Sequence, residues 1–171
     1  MLDYGLTTRI ENEQEIVLEK IFLAPKELVF EMFTKNEHLE HFWSPHNWEM
    51  FHCAMDFRAG GEWFYGITQK NPNPNLKDEE SYGKIVYDEI DAPNQIAYHF
   101  YFTDKTGEIN RELPGTKTEM EFIALDEDRT IVASRMEYES AEVLQELING
   151  GLRESLAESW DRLSTYLAKI K

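Results

Sequence analysis

Four histidines and the only cysteine of the chain lie close together in the sequence, as metal ligands often do. They are His38, His41, His46, His52 and Cys53. His38 and His41 could share one face of a helix, an arrangement that some metal sites use. The segment contains no H-E-x-x-H motif and no second cysteine, and Pro45 indicates that a loop interrupts it. We therefore expect exposed or interfacial histidines, no bound metal and no cofactor.

Covalent catalysis has no support in the sequence either. Cys53 lies in an apolar-leaning segment, where a buried and unreactive thiol is the usual case. No G-x-S-x-G motif is present, and Gly60-Gly61 is typical of a turn, since no Lys-Ser/Thr pair follows it. Among 33 acidic residues, any choice of a catalytic carboxylate pair is arbitrary. We predict no catalytic residue.

The aromatic and apolar residues of the strand-like segments are the remaining candidates for a functional site. Small-molecule sites are usually lined by such residues with a few polar groups among them, although the same residues can also simply fill a core. We predict a ligand-binding site formed by Trp43, Trp48, Arg58, Trp63, Tyr65, Tyr98, Phe100, Phe102, Met120, Phe122, Leu152, Ser155, Leu156 and Ser159. The polar residues expected to reach it are Arg58, His99, Tyr101 and Ser159. A shift of one residue in strand facing would exchange this whole set.

The last twenty residues explain why space is expected at this site. Apolar residues recur there every three or four positions, which predicts an amphipathic helix over residues 151–170. The first half of this helix carries the small residues Ser155, Ala157 and Ser159, whereas Trp160 and Leu167 add bulk to the second half. Such a helix, packed on a sheet, leaves room under its N-terminal half.

The elements upstream of this helix predict an α+β fold in one domain over residues 1–171. Strands are predicted at 13–22, 48–58, 62–69, 81–90, 95–103, 117–125 and 130–138, and helices at 25–34, 36–42, 141–148 and 151–170. Residues 1–12 are polar and are expected to be a loosely attached lead-in. Short connections favour antiparallel pairing. We therefore expect a curved antiparallel sheet of about seven strands, with two short helices after the first strand and the last helix covering one face.

Composition and charge indicate the cell compartment and exclude some classes of partner. The single cysteine cannot form an internal disulfide, and no apolar run approaches the ~20 residues of a membrane span. The N-terminus lacks the charged and apolar regions of a signal peptide, so we expect a cytoplasmic protein. The formal net charge of −16 disfavours nucleic acids and anionic membranes. The acids are spread along the chain, which is typical of a solvated surface.

Four ordered stretches of the chain resemble one known family. They are Ala24-Pro25 through Phe33-Thr34 to Phe42-Trp43-Ser44-Pro45, then Asp56-Phe57-Arg58-Ala59-Gly60-Gly61-Glu62-Trp63, then Gly83-Lys84-Ile85-Val86 to Ile96, and Arg129-Thr130. Together they resemble the family named for activators of the heat-shock-protein-90 ATPase, in the START-like (SRPBCC) superfamily. The resemblance implies a helix-grip fold, in which the sheet wraps around the C-terminal helix and leaves a cavity between them. Members often carry Gly-Trp where this chain has Ser155-Leu156, which implies a reshaped cavity here.

Three functions remain open at this point. The first is binding of an apolar or aromatic small molecule, without assigned chemistry. The second is a cyclase or hydrolase-like activity of the kind some superfamily members show, which requires a titratable group with a shifted pKa in the cavity. The third is regulation of a chaperone ATPase, as the family name implies. The sequence does not predict an oligomeric state.

The charge balance leads to a first prediction. The protein should not bind DNA or RNA measurably at physiological salt, because the phosphate backbone is repelled and no stripe of Lys or Arg compensates. A gel-shift titration at several salt concentrations tests this. Micromolar binding with a steep salt dependence would contradict the prediction and reveal a local basic surface.

Overall fold

The structure is a computed structural model that describes residues 5–170, in which the chain forms eight strands and four helices. In chain order the elements are β1 (Thr7–Glu11), β2 (Glu15–Phe22), α1 (Lys26–Glu31), α2 (Asn36–Leu39), β3 (Glu49–Met55), β4 (Glu62–Gln69), β5 (Glu79–Asp91), β6 (Gln95–Thr103), β7 (Thr116–Ala124), β8 (Thr130–Glu137), α3 (Ala141–Asn149) and α4 (Leu152–Ile170).

The eight strands form one open antiparallel sheet in the order β1-β2-β8-β7-β6-β5-β4-β3. Strands β3 to β8 follow one another as neighbours, since short connections suit antiparallel pairs. The connection from β2 to β3 carries α1 and α2 and brings the chain to the opposite edge of the sheet. The predicted α+β helix-grip arrangement is confirmed, with eight strands instead of about seven.

The additional strand is β1, which lies within the stretch expected to be a loosely attached lead-in. Residues Thr7–Glu11 pair with β2, where Ile10 lies opposite Ile16. Arg9 bonds to Glu19 at 2.6 Å, which adds a cross-strand ion pair. The expectation of a lead-in over residues 5–12 was therefore wrong, because an edge strand needs only one partner and few apolar residues. Residues 1–4 lie outside the described part of the chain.

Helix α4 covers one face of the sheet. Strand β7 alternates buried and exposed residues, with Met120 and Phe122 on the buried face. The second half of α4 buries Trp160, Leu163 and Leu167 in the core shared with that face. Burial of each such side chain stabilises the fold by about 1.5–3 kcal/mol. The second half of α4 is therefore packed tightly against the core.

Helix α1 packs against β7. It begins after Pro25, whose fixed φ suits the start of a helix. The rings of Phe30 and Phe33 meet Phe122 edge-on at centroid distances of 5.1 and 5.5 Å. This aromatic cluster joins α1 and the turn after it to the buried face of β7.

Within residues 5–170, no helix is both long and apolar enough to cross a membrane.

Close packing over Gly83 in β5 leads to a second prediction. A Cβ at this position would lie 2.7 Å from Phe100 Cε2 and 2.7 Å from Tyr65 Cζ. Gly83→Ala should therefore lower the free energy of unfolding by about 1–3 kcal/mol, because both rings must shift. Urea denaturation measures the change.

Gly150→Ala is the matched control for that substitution. Its added Cβ would meet only the carbonyl oxygens of Glu146 and Leu147, at 3.4 and 3.6 Å. The backbone at Gly150 has a φ of −84°, which alanine adopts without strain. This variant should be neutral or more stable by about 0.4–1 kcal/mol. If both variants have wild-type stability, Tyr65 and Phe100 do not lie over Gly83 as described.

Candidate functional site

A cavity of about 190 Å³ lies between the sheet and the first half of α4. Strands β2, β4, β6, β7 and β8 contribute its sheet side, and residues after α1 and α2 contribute one wall. Its position matches the place where small residues on the last helix predicted space. Ser155 is exposed and also lines the cavity, so it lies at the mouth.

Nine of the fourteen predicted site residues line this cavity. They are Trp43, Tyr65, Tyr98, Phe100, Met120, Leu152, Ser155, Leu156 and Ser159. Tyr98 and Phe100 come from alternate positions of β6, whereas Leu152, Ser155, Leu156 and Ser159 form one face of α4. Strand alternation in β6 and the helical repeat of α4 therefore direct side chains into the same cavity.

Three of the remaining residues lie at the edges of this region. Arg58 is exposed in the turn before β4, where it pairs with Asp56 at 2.7 Å. Phe102 lies one pleat beyond the cavity and packs edge-on against Phe100. Phe122 lies deeper in the core, against α1. Phe102 and Phe122 lie on strands that line the cavity, but at positions outside it, and Arg58 lies in a turn.

The last two predicted residues, Trp48 and Trp63, lie next to the cavity wall. Trp63 is 1 % exposed and its Nε1 donates to Cys53 Sγ at 2.8 Å. Its ring packs at 4.8 Å from both Trp43 and Tyr65, so it supports two residues that line the cavity. Trp48 is half-buried, and its backbone carbonyl accepts a hydrogen bond from Ser44 Oγ.

Of the polar residues expected to reach the cavity, only Ser159 lines it. His99 and Tyr101 alternate with Tyr98 and Phe100 along β6, and they therefore face the other side of the sheet. His99 bonds there to Asp88 at 2.7 Å. Ser159 Oγ donates to the carbonyl of Phe42 at 2.7 Å, which leaves it no proton for a ligand.

Seven lining residues were not predicted from the sequence. They are Leu18, Phe33, Pro45, Thr118, Ser134, Met136 and Trp160. The signal for two of them was present. Thr118 lies two residues before Met120 on β7, and Ser134 lies directly opposite Met120 on β8. Both hydroxyls therefore share the buried face, although a search for aromatic residues passed over them.

Helix α4 also holds the wall that faces it. Arg162 Nη1 lies 2.7 Å from the carbonyl oxygen of Ser44 and 3.2 Å from those of Pro45 and Trp48. Burial lowers the pKa of the Arg162 guanidinium, which nevertheless remains a cation at neutral pH. Together with Ser159, it fixes the segment that carries Trp43 and Pro45.

The cavity lining is uncharged at neutral pH. Its titratable groups are Tyr65 and Tyr98. Burial raises the pKa of both phenols, and the nearby side chains of Trp43 and Thr118 only partly offset this effect. Thr118 is 1 % exposed, and its Oγ1 makes no hydrogen bond of ordinary geometry within the described chain. The lining therefore offers neutral polar groups on an apolar surface.

The histidines of the first helices lie outside this cavity. His38 Nδ1 is 2.7 Å from Tyr166 Oη, and the ring of His41 stacks on Tyr166 at 4.5 Å. His46 lies 3.5 Å from Asp161, and His41 and His46 border a separate surface cleft beside Arg162. Within residues 5–170, no three His, Cys, Asp or Glu side chains are grouped so that they could hold a metal ion.

Solved structures share this architecture along nearly the whole chain. The solution NMR structure of a protein from Arthrobacter aurescens has a TM-score of 0.84 and 21 % identity, and the match covers 96 % of this chain and 92 % of that one. A protein from Staphylococcus epidermidis, also solved by NMR, has a TM-score of 0.78 and 27 % identity, with coverages of 95 % and 94 %. The crystal structure of the AHSA1 protein from Silicibacter pomeroyi has a TM-score of 0.65 and 17 % identity, with coverages of 92 % and 99 %.

Comparison of the sequence with protein families identifies the family of this chain. No curated protein matches this chain. Residues 23–168, however, match the family described as "Activator of Hsp90 ATPase homolog 1-like protein". Because this match spans most of the chain, the protein belongs to that family.

Proposed function

We propose that this protein binds a small apolar or aromatic molecule in the cavity between the sheet and α4, without a metal, a cofactor or a covalent step. The observation that carries the proposal is the cavity of about 190 Å³ under the half of α4 that has short side chains. Cores are normally packed with few voids larger than a water molecule. A space of this size beside a solidly packed half-helix is therefore typical of a binding site.

The size and lining of the cavity fit a small ligand. An engineered, apolar cavity of roughly 150 Å³ is enough to hold benzene. The volume here is somewhat larger, and aromatic rings such as Tyr98 and Phe100 form part of the lining. A few hydroxyls among apolar groups are the usual composition of such a site. These features favour a molecule of about one ring.

Binding is favoured over catalysis by the absence of a suitable acid or base in the cavity lining. General acid–base catalysis needs a group whose pKa lies near the working pH. The titratable groups among the described lining residues are Tyr65 and Tyr98, and burial moves the pKa of both away from neutrality. A cyclase or hydrolase-like activity would instead show turnover with a pH dependence near neutrality.

The family name keeps a chaperone partner as the other alternative, but no contact or surface of the described chain favours it. A pull-down with the chaperone tests that role separately. A single domain and a cytoplasmic location also remain predictions from the sequence. The cytoplasmic location rests on the single Cys53, which cannot form an internal disulfide.

Toluene uptake and a substitution at the mouth test the proposed function. Ser155→Trp should abolish toluene binding, because the indole and the probe compete for the same space. It should leave stability unchanged or raise it by up to ~1–2 kcal/mol, since apolar bulk fills a void. Amide chemical shifts in an NMR titration report binding, and thermal unfolding reports stability.

Ala168→Trp provides the control, because Ala168 is exposed on the same helix and does not line the cavity. This variant should bind toluene as the wild type does. If the wild type shows no shifts at saturating toluene and Ser155→Trp melts many degrees lower, the helix is packed solidly and the proposal is wrong.

A further inference from the structure

Thr118 is the feature of the cavity that packing alone does not explain. It is 1 % exposed on β7, it lines the cavity, and its Oγ1 makes no hydrogen bond of ordinary geometry in the described part of the chain, the nearby Tyr98 hydroxyl included. More than nine in ten buried polar groups in native proteins have a partner. A valine has nearly the same shape and would avoid the cost of an unpaired hydroxyl.

The other buried threonines show how this chain normally treats such a group. Thr130 is 0 % exposed and its Oγ1 donates to the carbonyl of Ala24 at 2.8 Å. Thr116 and Thr118 each lie beside a tyrosine hydroxyl, that of Tyr138 and that of Tyr98, and each contact partly offsets the rise in phenol pKa that burial causes. Thr118 differs from both in facing a cavity, so its missing partner is best supplied by an occupant of that cavity.

The surroundings of Thr118 define the rest of the occupant. Tyr98 lies directly opposite on β6 and Met136 directly opposite on β8, so the hydroxyl is flanked by a ring and a thioether. Flat aromatic ligands pack well against such neighbours. Ser134 lies diagonally across from Thr118 and is 3 % exposed, which places a second hydroxyl on the same floor.

Charge excludes ionised ligands. None of the lining side chains carries a charge at neutral pH, so a buried carboxylate or ammonium would have no counter-charge. The net charge of −16 further disfavours anions.

We infer that the occupant is a neutral, single-ring aromatic molecule with one hydroxyl group, which exchanges a hydrogen bond with Thr118 Oγ1. The ring fills the volume of about 190 Å³, and the ligand hydroxyl supplies the hydrogen-bond partner that Thr118 Oγ1 lacks on the sheet side of the cavity. This inference rests on the proposed function, since it names the class of ligand for the same cavity.

Phenol and toluene are the matched probes, because they have almost the same shape and differ in a hydroxyl against a methyl group. Thr118→Val makes the same exchange on the protein. The ratio of the phenol Kd to the toluene Kd, from NMR or calorimetric titrations, should rise about five- to tenfold in Thr118→Val. The melting temperature of this variant should stay the same or rise, because a buried unpaired hydroxyl is removed.

Two further variants separate hydrogen bonding from packing. Thr118→Ser retains the hydroxyl and should keep the Kd ratio near that of the wild type. Thr130→Val removes a buried hydroxyl that is bonded outside the cavity, so it should lower stability without changing the ratio. Benzoate, which is ionised at neutral pH, should not bind to the wild type.

A measurement on the wild type makes the inference independent of any variant. Nuclear Overhauser contacts should join the ring protons of bound phenol to the methyl group of Thr118. If toluene binds but these contacts are missing and Thr118→Val leaves the ratio unchanged, the inference is overturned and the proposed function stands. If neither phenol nor toluene binds to the wild type, the proposed function fails together with the inference.

Discussion

The cavity depends on how α4 is attached to the rest of the molecule. The second half of the helix is fixed by burial of Trp160, Leu163 and Leu167 against the sheet. The first half packs Leu152, Leu156 and Ala157 against the core, and it carries the short Ser155 and Ser159 over the cavity. Hydrogen bonds from Ser159 and Arg162, near the middle of the helix, also join α4 to the backbone of the opposite wall. Because these bonds fix the spacing, the first half of α4 does not need to collapse onto the sheet.

The opposite wall needs a support of its own, and a short chain of polar contacts provides it. Cys53 Sγ lies 2.7 Å from Asn36 Oδ1 and accepts from Trp63 Nε1 at 2.8 Å. Trp63 in turn packs edge-on against Trp43, which lines the cavity. Burial raises the pKa of the Cys53 thiol, so it stays protonated and can donate while it accepts. The cysteine thus has a structural role, which agrees with its expected lack of reactivity.

Sequence patterns predicted the parts of this structure that depend on local periodicity. The helical repeat gave α4, and strand alternation gave Tyr98 and Phe100 on the cavity side. Strand β1 could not be predicted in this way, because a short polar edge strand is defined by its partner. Arg58 was wrongly predicted to reach the cavity, because the turn before β4 directs its side chain to the surface. Thr118 was missed because polar residues were not followed along β7, although its position relative to Met120 indicated a buried side chain.

An uncharged cavity with an unpaired hydroxyl is a costly arrangement for a protein of this size. Each void or unpaired buried polar group destabilises a fold by about 1–3 kcal/mol, against a typical total stability of about 5–15 kcal/mol. On α4, Ser159 and Arg162 are hydrogen-bonded, whereas the buried Nε of Arg153 has no hydrogen-bond partner in the described chain. Of the two buried side-chain atoms without a partner among the described residues, Thr118 Oγ1 and Arg153 Nε, only Thr118 Oγ1 belongs to a residue that lines the cavity. That coincidence supports the proposal of a ligand site over that of a packing defect.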